Sequence, residues 1–287
     1  MTKPSYSEVW AFSRGVQHVS QKAREAFQEG IKGIDFADWT FAASALKELV
    51  AAIVETYGLA AAELGAQWYE FCRTNEFKRG FTAIVGEVSR YSANSDTRNA
   101  IDKLFSGEIS PDDLIDSLSG IVVNQTQKQT RDTILENLSE DLLQAKQAGD
   151  SEFEDRCGYA RVTTSENPCA FCVLMASQGF VYKSERTALQ DKHGEKYHDD
   201  CSCIAVPFSK AEEIEGYGDA LAGHERAYRD ADNMRRYGDM PEELRERIDK
   251  AREDHEARYA AGLTKSRWDP TLNENAIIMR WQNEGMR

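Results

Sequence analysis

The sequence predicts a mainly α-helical chain with one small α/β module, and three observations carry that prediction. Apolar residues recur at steps of three and four over most of the first 150 positions. Only 6 of the 287 residues are proline, so long helices are seldom interrupted. Four of the 6 cysteines crowd into Pro168–Pro207, next to short stretches of β-type alternation. Three parts follow: a helical docking domain over 1–150, a zinc-stapled α/β module over 151–208, and a charged helical arm with a C-terminal tail over 209–287.

Residues 6–31 read as an amphipathic helix, with Val9, Phe12, Val16, Val19, Ala23, Phe27 and Ile31 on one stripe. Gly30 and Gly33 end it. Residues 38–73 read as a longer helix whose stripe is Leu46, Leu49, Ile53, Tyr57, Leu64, Trp68 and Phe71. Its alanines permit close approach of a neighbour, while Gly58 and Gly65 each weaken the helix locally by roughly 1 kcal/mol against Ala. Residues 78–107 read as one or two shorter helices broken near Ser92–Asp96. Ser110-Pro111-Asp112-Asp113 is a helix start, with Ser as cap, Pro at the first helical position and acids against the dipole. That helix is expected to run past Thr133, with a further helical segment from about Ser139 to Ala148. The polar run Asn124–Lys128 reads as a solvated face, or else as a polar contact surface.

After Gly149 the character changes. Tyr159, Arg161 and Thr163 alternate as one side of a strand, Phe180–Ser184 and Cys203–Phe208 read as short strands, and Val173–Ser177 as one or two helical turns. Within this module Cys169 and Cys172 form one close pair, Cys201 and Cys203 a second, and His198 lies three residues before the latter. A short knuckle aims two sulfurs at one point, and a second pair returning across a loop completes a tetrahedral site. The expected cofactor is therefore structural Zn2+. Five residues compete for four positions: Cys169, Cys172, His198, Cys201 and Cys203, with Cys203 preferred to Cys201. Metal binding would supply much of the folding free energy of so small a module. Disulfides are disfavoured because nothing marks the chain as secreted. A catalytic zinc would more commonly take His and carboxylate ligands and keep one position open.

Beyond Ser209 charged residues dominate, and Pro241–Ala260 is a charged helix with opposite charges at helical spacing. This part reads as a solvated helix or a loosely attached arm, with a docking segment as the alternative. Ile277, Ile278, Met279 and Trp281 at its end should return to a surface of the chain itself or of a partner. The formal net charge of -14 argues against general nucleic-acid binding, which needs clustered Lys and Arg. Adsorption to anionic membrane is disfavoured on the same ground. No secretory signal and no spanning stretch are expected.

The segments Glu166–Tyr182 and Tyr197–Pro207, with the leader around Ala60–Arg73 and Asn124–Ile134, resemble head-morphogenesis proteins of tailed bacteriophages, the Mu protein F-like family in its actinobacteriophage form. The resemblance covers most of residues 6–208 and is thin beyond. It implies a minor capsid protein inside the head near the portal, acting in head assembly or genome delivery. Its partners would be the portal protein or the major capsid shell, and its location the virion interior after assembly in the host cytoplasm. No catalytic residue is assigned. The alternative is a zinc-dependent hydrolase or toxin-like enzyme delivered with the genome, for which Arg161, Glu166, His193 and His198 are the candidates. Cys157 beside Arg156 is a weaker one.

Overall fold

The computed structural model describes residues 3–77, 82–88, 90–165, 168, 170–177, 203–238, 240–260, 268 and 270–285. Mainly helical, with a two-stranded sheet, the chain forms two compact units: Trp10–Gln144, and Met1–Val9 together with Ala145–Arg287. Both divisions fall inside helices, α1 (Tyr6–Gly30) and α4 (Pro111–Ala148). The described elements that carry Cys157, Cys172 and Cys203, and the helices that follow them, therefore belong to the same unit.

The first unit is built around α2 (Trp39–Phe77). By length and composition α2 could cross a membrane, contrary to the expectation of no spanning stretch, and half of its most apolar window is buried. Here it is a core helix. The buried face differs from the predicted stripe: Leu46, Ile53 and Trp68 are buried, Leu49, Tyr57 and Leu64 are half-buried and Phe71 is exposed, while alanines and glycines line much of the core side, among them Ala42, Ala43, Ala61, Ala62, Gly65 and Ala66. α1 runs antiparallel to it, with the Phe12 and Trp68 rings stacked at 4.6 Å and Gly30 against Leu49. α4 runs parallel to it: Thr130 meets Ala61 and Gly65, and Asp141 meets Tyr69 and Arg73. Parallel neighbours need a return path, supplied by residues 82–88 and α3 (Arg90–Phe105).

Several sequence expectations are corrected in this unit. Ser92–Asp96 lies within α3, and α4 continues unbroken through Ser139. The Ser110 start holds: its hydroxyl accepts from Asp113 N at 3.2 Å, and its own N–H donates to the Asp113 carboxylate at 3.0 Å. The run Asn124–Lys128 opens a buried polar seam rather than a solvated face. Gln125, Thr126, Gln129, Thr130, Thr133, Asn137 and Asp141 are all buried. Most of their polar groups find hydrogen-bond partners, as burial favours. Gln125 donates to Asp96 at 2.6 Å, Thr130 Oγ1 to Ala61 O at 2.9 Å, and Thr126 Oγ1 to Val122 O at 2.8 Å. Asp141 accepts from Tyr69 OH and Arg73 Nε, both at 2.6 Å. The Asn137 side chain clasps residue 84 from both sides, accepting from Ile84 N and donating to Ile84 O, each at 2.8 Å. Gly65 is indispensable to the seam, because a Cβ there would lie 2.6 Å from Thr130 O. The glycine that propensity marks as weak is the point where the α2 and α4 backbones meet.

The second unit holds α5 (Ser151–Arg156), β1 (Tyr159–Thr163), α6 (Ala170–Ser177), β2 (Cys203–Pro207), a 3-10 turn at Ala211–Glu213, α7 (Gly218–Tyr237), α8 (Glu242–Ala260) and α9 (Asn275–Gly285). β1 and β2 pair antiparallel in the register Tyr159↔Pro207 to Thr163↔Cys203. Both strands are buried at every position, so the expected one-sided alternation of β1 is replaced by burial of both faces. The expected strand Phe180–Ser184 lies outside the described residues. The stretch read as a loosely attached arm is packed: Val173 of α6, Ala231 of α7, Leu244 and Ile248 of α8, and Ile278 and Met279 of α9 form one buried cluster. Few apolar residues suffice because each helix offers only one narrow stripe. The end of the chain thus returns to its own surface.

Candidate functional site

The β1–β2 hairpin organises the chemistry of the second unit. Its Thr163–Cys203 pair is the end where the chain leaves β1 toward the first cysteine pair and re-enters at the second. Cys203 is the first residue of β2 and is buried. Cys172 is buried in the first turn of α6, a helix that starts earlier than the sequence suggests and packs on β1. Two candidate ligands therefore occupy buried positions on elements joined through β1. Cys169, His198 and Cys201 lie outside the described residues. Among the described residues no group of three or more His, Cys, Asp or Glu could hold a metal. Buried thiols on a hairpin edge and an adjoining helix fit the soft donor chemistry of zinc. Cys172 and Cys203 would be two of its holders.

Around Thr163 three side chains from two stretches of chain converge, Tyr6 at the start of α1 and Tyr217 and His224 at the start of α7. Tyr6 OH donates to Thr163 O at 3.0 Å. Thr163 N donates to Tyr217 OH at 3.4 Å, and Thr163 Oγ1 lies 2.7 Å from His224 Nε2. The Tyr6 and Tyr217 rings are 5.0 Å apart, and the Tyr217 and His224 rings 6.1 Å. Burial pushes the Tyr217 phenol up to about 12, opposed by the Thr163 hydrogen bonds and aided by Cys203. Burial likewise holds His224 below the ordinary imidazole value, so the ring is neutral near pH 7. A neutral imidazole next to a hydroxyl is the arrangement of a base with a nucleophile. Thr163, however, is only 1% exposed and its backbone groups are engaged on the hairpin and by Tyr6 and Tyr217. The cluster orders the hairpin end rather than presenting a reactive group.

Of the residues considered for catalysis, Arg161 is buried at the centre of β1, opposite Ala205. Glu166, His193 and His198 lie outside the described residues. Cys157, whose proximity to Arg156 suggested an activated thiol, is wholly buried just after α5, which bars access to it. Sequence reasoning missed Tyr6, Tyr217 and His224. The signal for Tyr217 and His224 was legible: Tyr217, Leu221, His224, Tyr228 and Ala231 recur at steps of four and three, a stripe of buried and half-buried residues within a segment whose charge density masked it.

No curated protein and no solved structure matches the chain. Residues 3–231 match the family described as VG15 protein. The match takes in the helical unit, the cysteine pairs, the hairpin and α7 as far as Ala231, and stops before α8 and α9. Covering most of the chain, it shows that this protein belongs to the VG15 family, a family of phage proteins.

Proposed function

We propose that the protein is a minor capsid, head-morphogenesis protein of a tailed bacteriophage, of the Mu F-like kind, placed inside the head near the portal. The observation that carries this reading is the VG15 family match across residues 3–231. Its action is binding and placement rather than turnover: the described candidates for chemistry, Arg161 and Cys157, are buried inside the fold. Its partners are the portal protein or the inner face of the capsid shell. Zn2+ held by four of Cys169, Cys172, His198, Cys201 and Cys203 staples the second unit. Much of the apolar face of α2 and of α4, including Leu46, Val50, Leu114 and Leu118, is buried in the protein's own core. Docking therefore falls to what remains exposed on the helical unit, including Phe41 at 62% and Phe105 at 59% exposure.

Quantitative mass spectrometry of purified particles, before and after DNA ejection, tests the assignment. A few copies per particle are expected, and absence from purified virions overturns it. Phe41→Asp and Phe105→Asp, both fully folded by circular dichroism, are expected to lower the copy number together.

A further inference from the structure

The first residues of the chain belong to the second unit, and they lie along its hairpin from one end to the other. At one end Lys3 Nζ donates to Phe208 O, just after β2, and pairs with Glu213 at 3.5 Å. Pro4 is buried. Tyr6 N donates to Glu215 O at 2.8 Å, and Gly216, with φ of +82°, leaves a Cβ position 3.7 Å from Tyr6 Cβ. At the other end Tyr6 OH reaches Thr163 O, with its ring against Tyr217. Within four residues, Lys3 and Tyr6 thus reach the segment after β2, the turn preceding α7 and the last residue of β1.

We propose that Lys3–Tyr6 is a releasable strap that clamps the hairpin and so governs how tightly the Thr163–Cys203 end is held. The contacts that hold the strap include hydrogen bonds, an ion pair and a ring contact at half-buried side chains. Such contacts are individually modest and are lost together once the segment leaves. Cys203 is paired with the strapped residue. On the proposed zinc reading, on which this part rests, release of the amino terminus by processing or displacement would loosen one metal ligand. The strap's role would then be to couple the state of the amino terminus to metal retention.

The test uses the full chain, a variant lacking residues 2–6, and Tyr6→Phe, which keeps the ring and loses the hydroxyl. Hydrogen exchange is read at 159–163 and 203–207, with 130–141 of α4 as an internal reference. Exchange at the hairpin should rise tenfold or more in the truncated protein and severalfold in Tyr6→Phe, with the reference unchanged. A synthetic peptide of residues 2–9 should restore protection to the truncated protein. Unchanged hairpin exchange in both variants overturns the strap. If the truncated chain fails to fold, Tyr6→Phe decides alone. Zinc release to a chromogenic chelator is measured in parallel and should quicken with hairpin exchange. A wild-type protein without zinc overturns the metal reading while the exchange data still judge the strap; a zinc-loaded protein whose release is indifferent to a loosened hairpin overturns the coupling.

Discussion

The contact of Gly65 with α4 predicts that one substitution, glycine to alanine, has opposite signs at two positions in the same helical unit. At Gly120, in α4, a Cβ would meet nothing within 4 Å. Gly120→Ala should therefore return the ordinary helix-propensity gain of about 1 kcal/mol. At Gly65 the same gain is available, but the new Cβ would sit 2.6 Å from Thr130 O and 3.2 Å from Thr130 Cα. These are backbone atoms and cannot rotate away, so α2 and α4 must separate. Overpacking costs about 1–3 kcal/mol, and a backbone clash belongs at the upper end. The separation also strains the Thr130 Oγ1 to Ala61 O bond, worth about 1 kcal/mol. Offsetting these by the propensity gain leaves a net loss of about 2–3 kcal/mol, a large share of a marginal stability. Urea denaturation followed by helical circular dichroism measures both variants against wild type. Gly65→Ala stabilising by as much as Gly120→Ala would refute the close-approach argument, because propensity alone would then govern both sites.

Asn137→Ala removes both bonds to residue 84, and should cost about 2 kcal/mol with a marked rise in hydrogen exchange at the Ile84 amide; an unaltered Ile84 rate would count against the clasp. The depressed pKa of His224 gives a pH dependence with a definite sign. The unfolded chain binds the proton more readily than the folded one, so this contribution is present above pH 6.5 and lost as pH falls from there through the folded value. His224→Gln should flatten the fall in urea midpoint below pH 6.5, and an identical pH profile in the variant would remove His224 as its source. Elemental analysis of freshly reduced protein should find one zinc per chain, and X-ray absorption a sulfur-rich four-coordinate shell. Cys172→Ser should lower zinc content and destabilise the second unit while the helical unit retains its circular dichroism. Stoichiometric zinc in that variant would strike Cys172 from the ligand set.

Much of the helical plan was written in local pattern. The stripe of α1, the cap at Ser110 and the acids of the first turn of α4 each act within a few residues, so periodicity and capping chemistry suffice to read them. The cysteine pairs, Arg161 on a strand and the final apolar cluster at Ile277–Trp281 were legible in the same way. What the sequence could not decide is which surfaces meet. Asn124–Lys128 is polar by composition, and only the close approach of α2 over Gly65 turns it into the start of a buried seam with partners up to 72 residues away, as in Asp141 to Tyr69. Charge density made residues 209–287 read as an arm, and only the joint packing of α6, α7, α8 and α9 shows that one narrow stripe per helix is enough to bury them. Tyr6 carries no mark of its destination at Thr163, 157 positions away. Local energetics select helices and strands, whereas long-range pairing depends on the simultaneous fit of backbones and side chains from distant segments, which only the folded chain brings together.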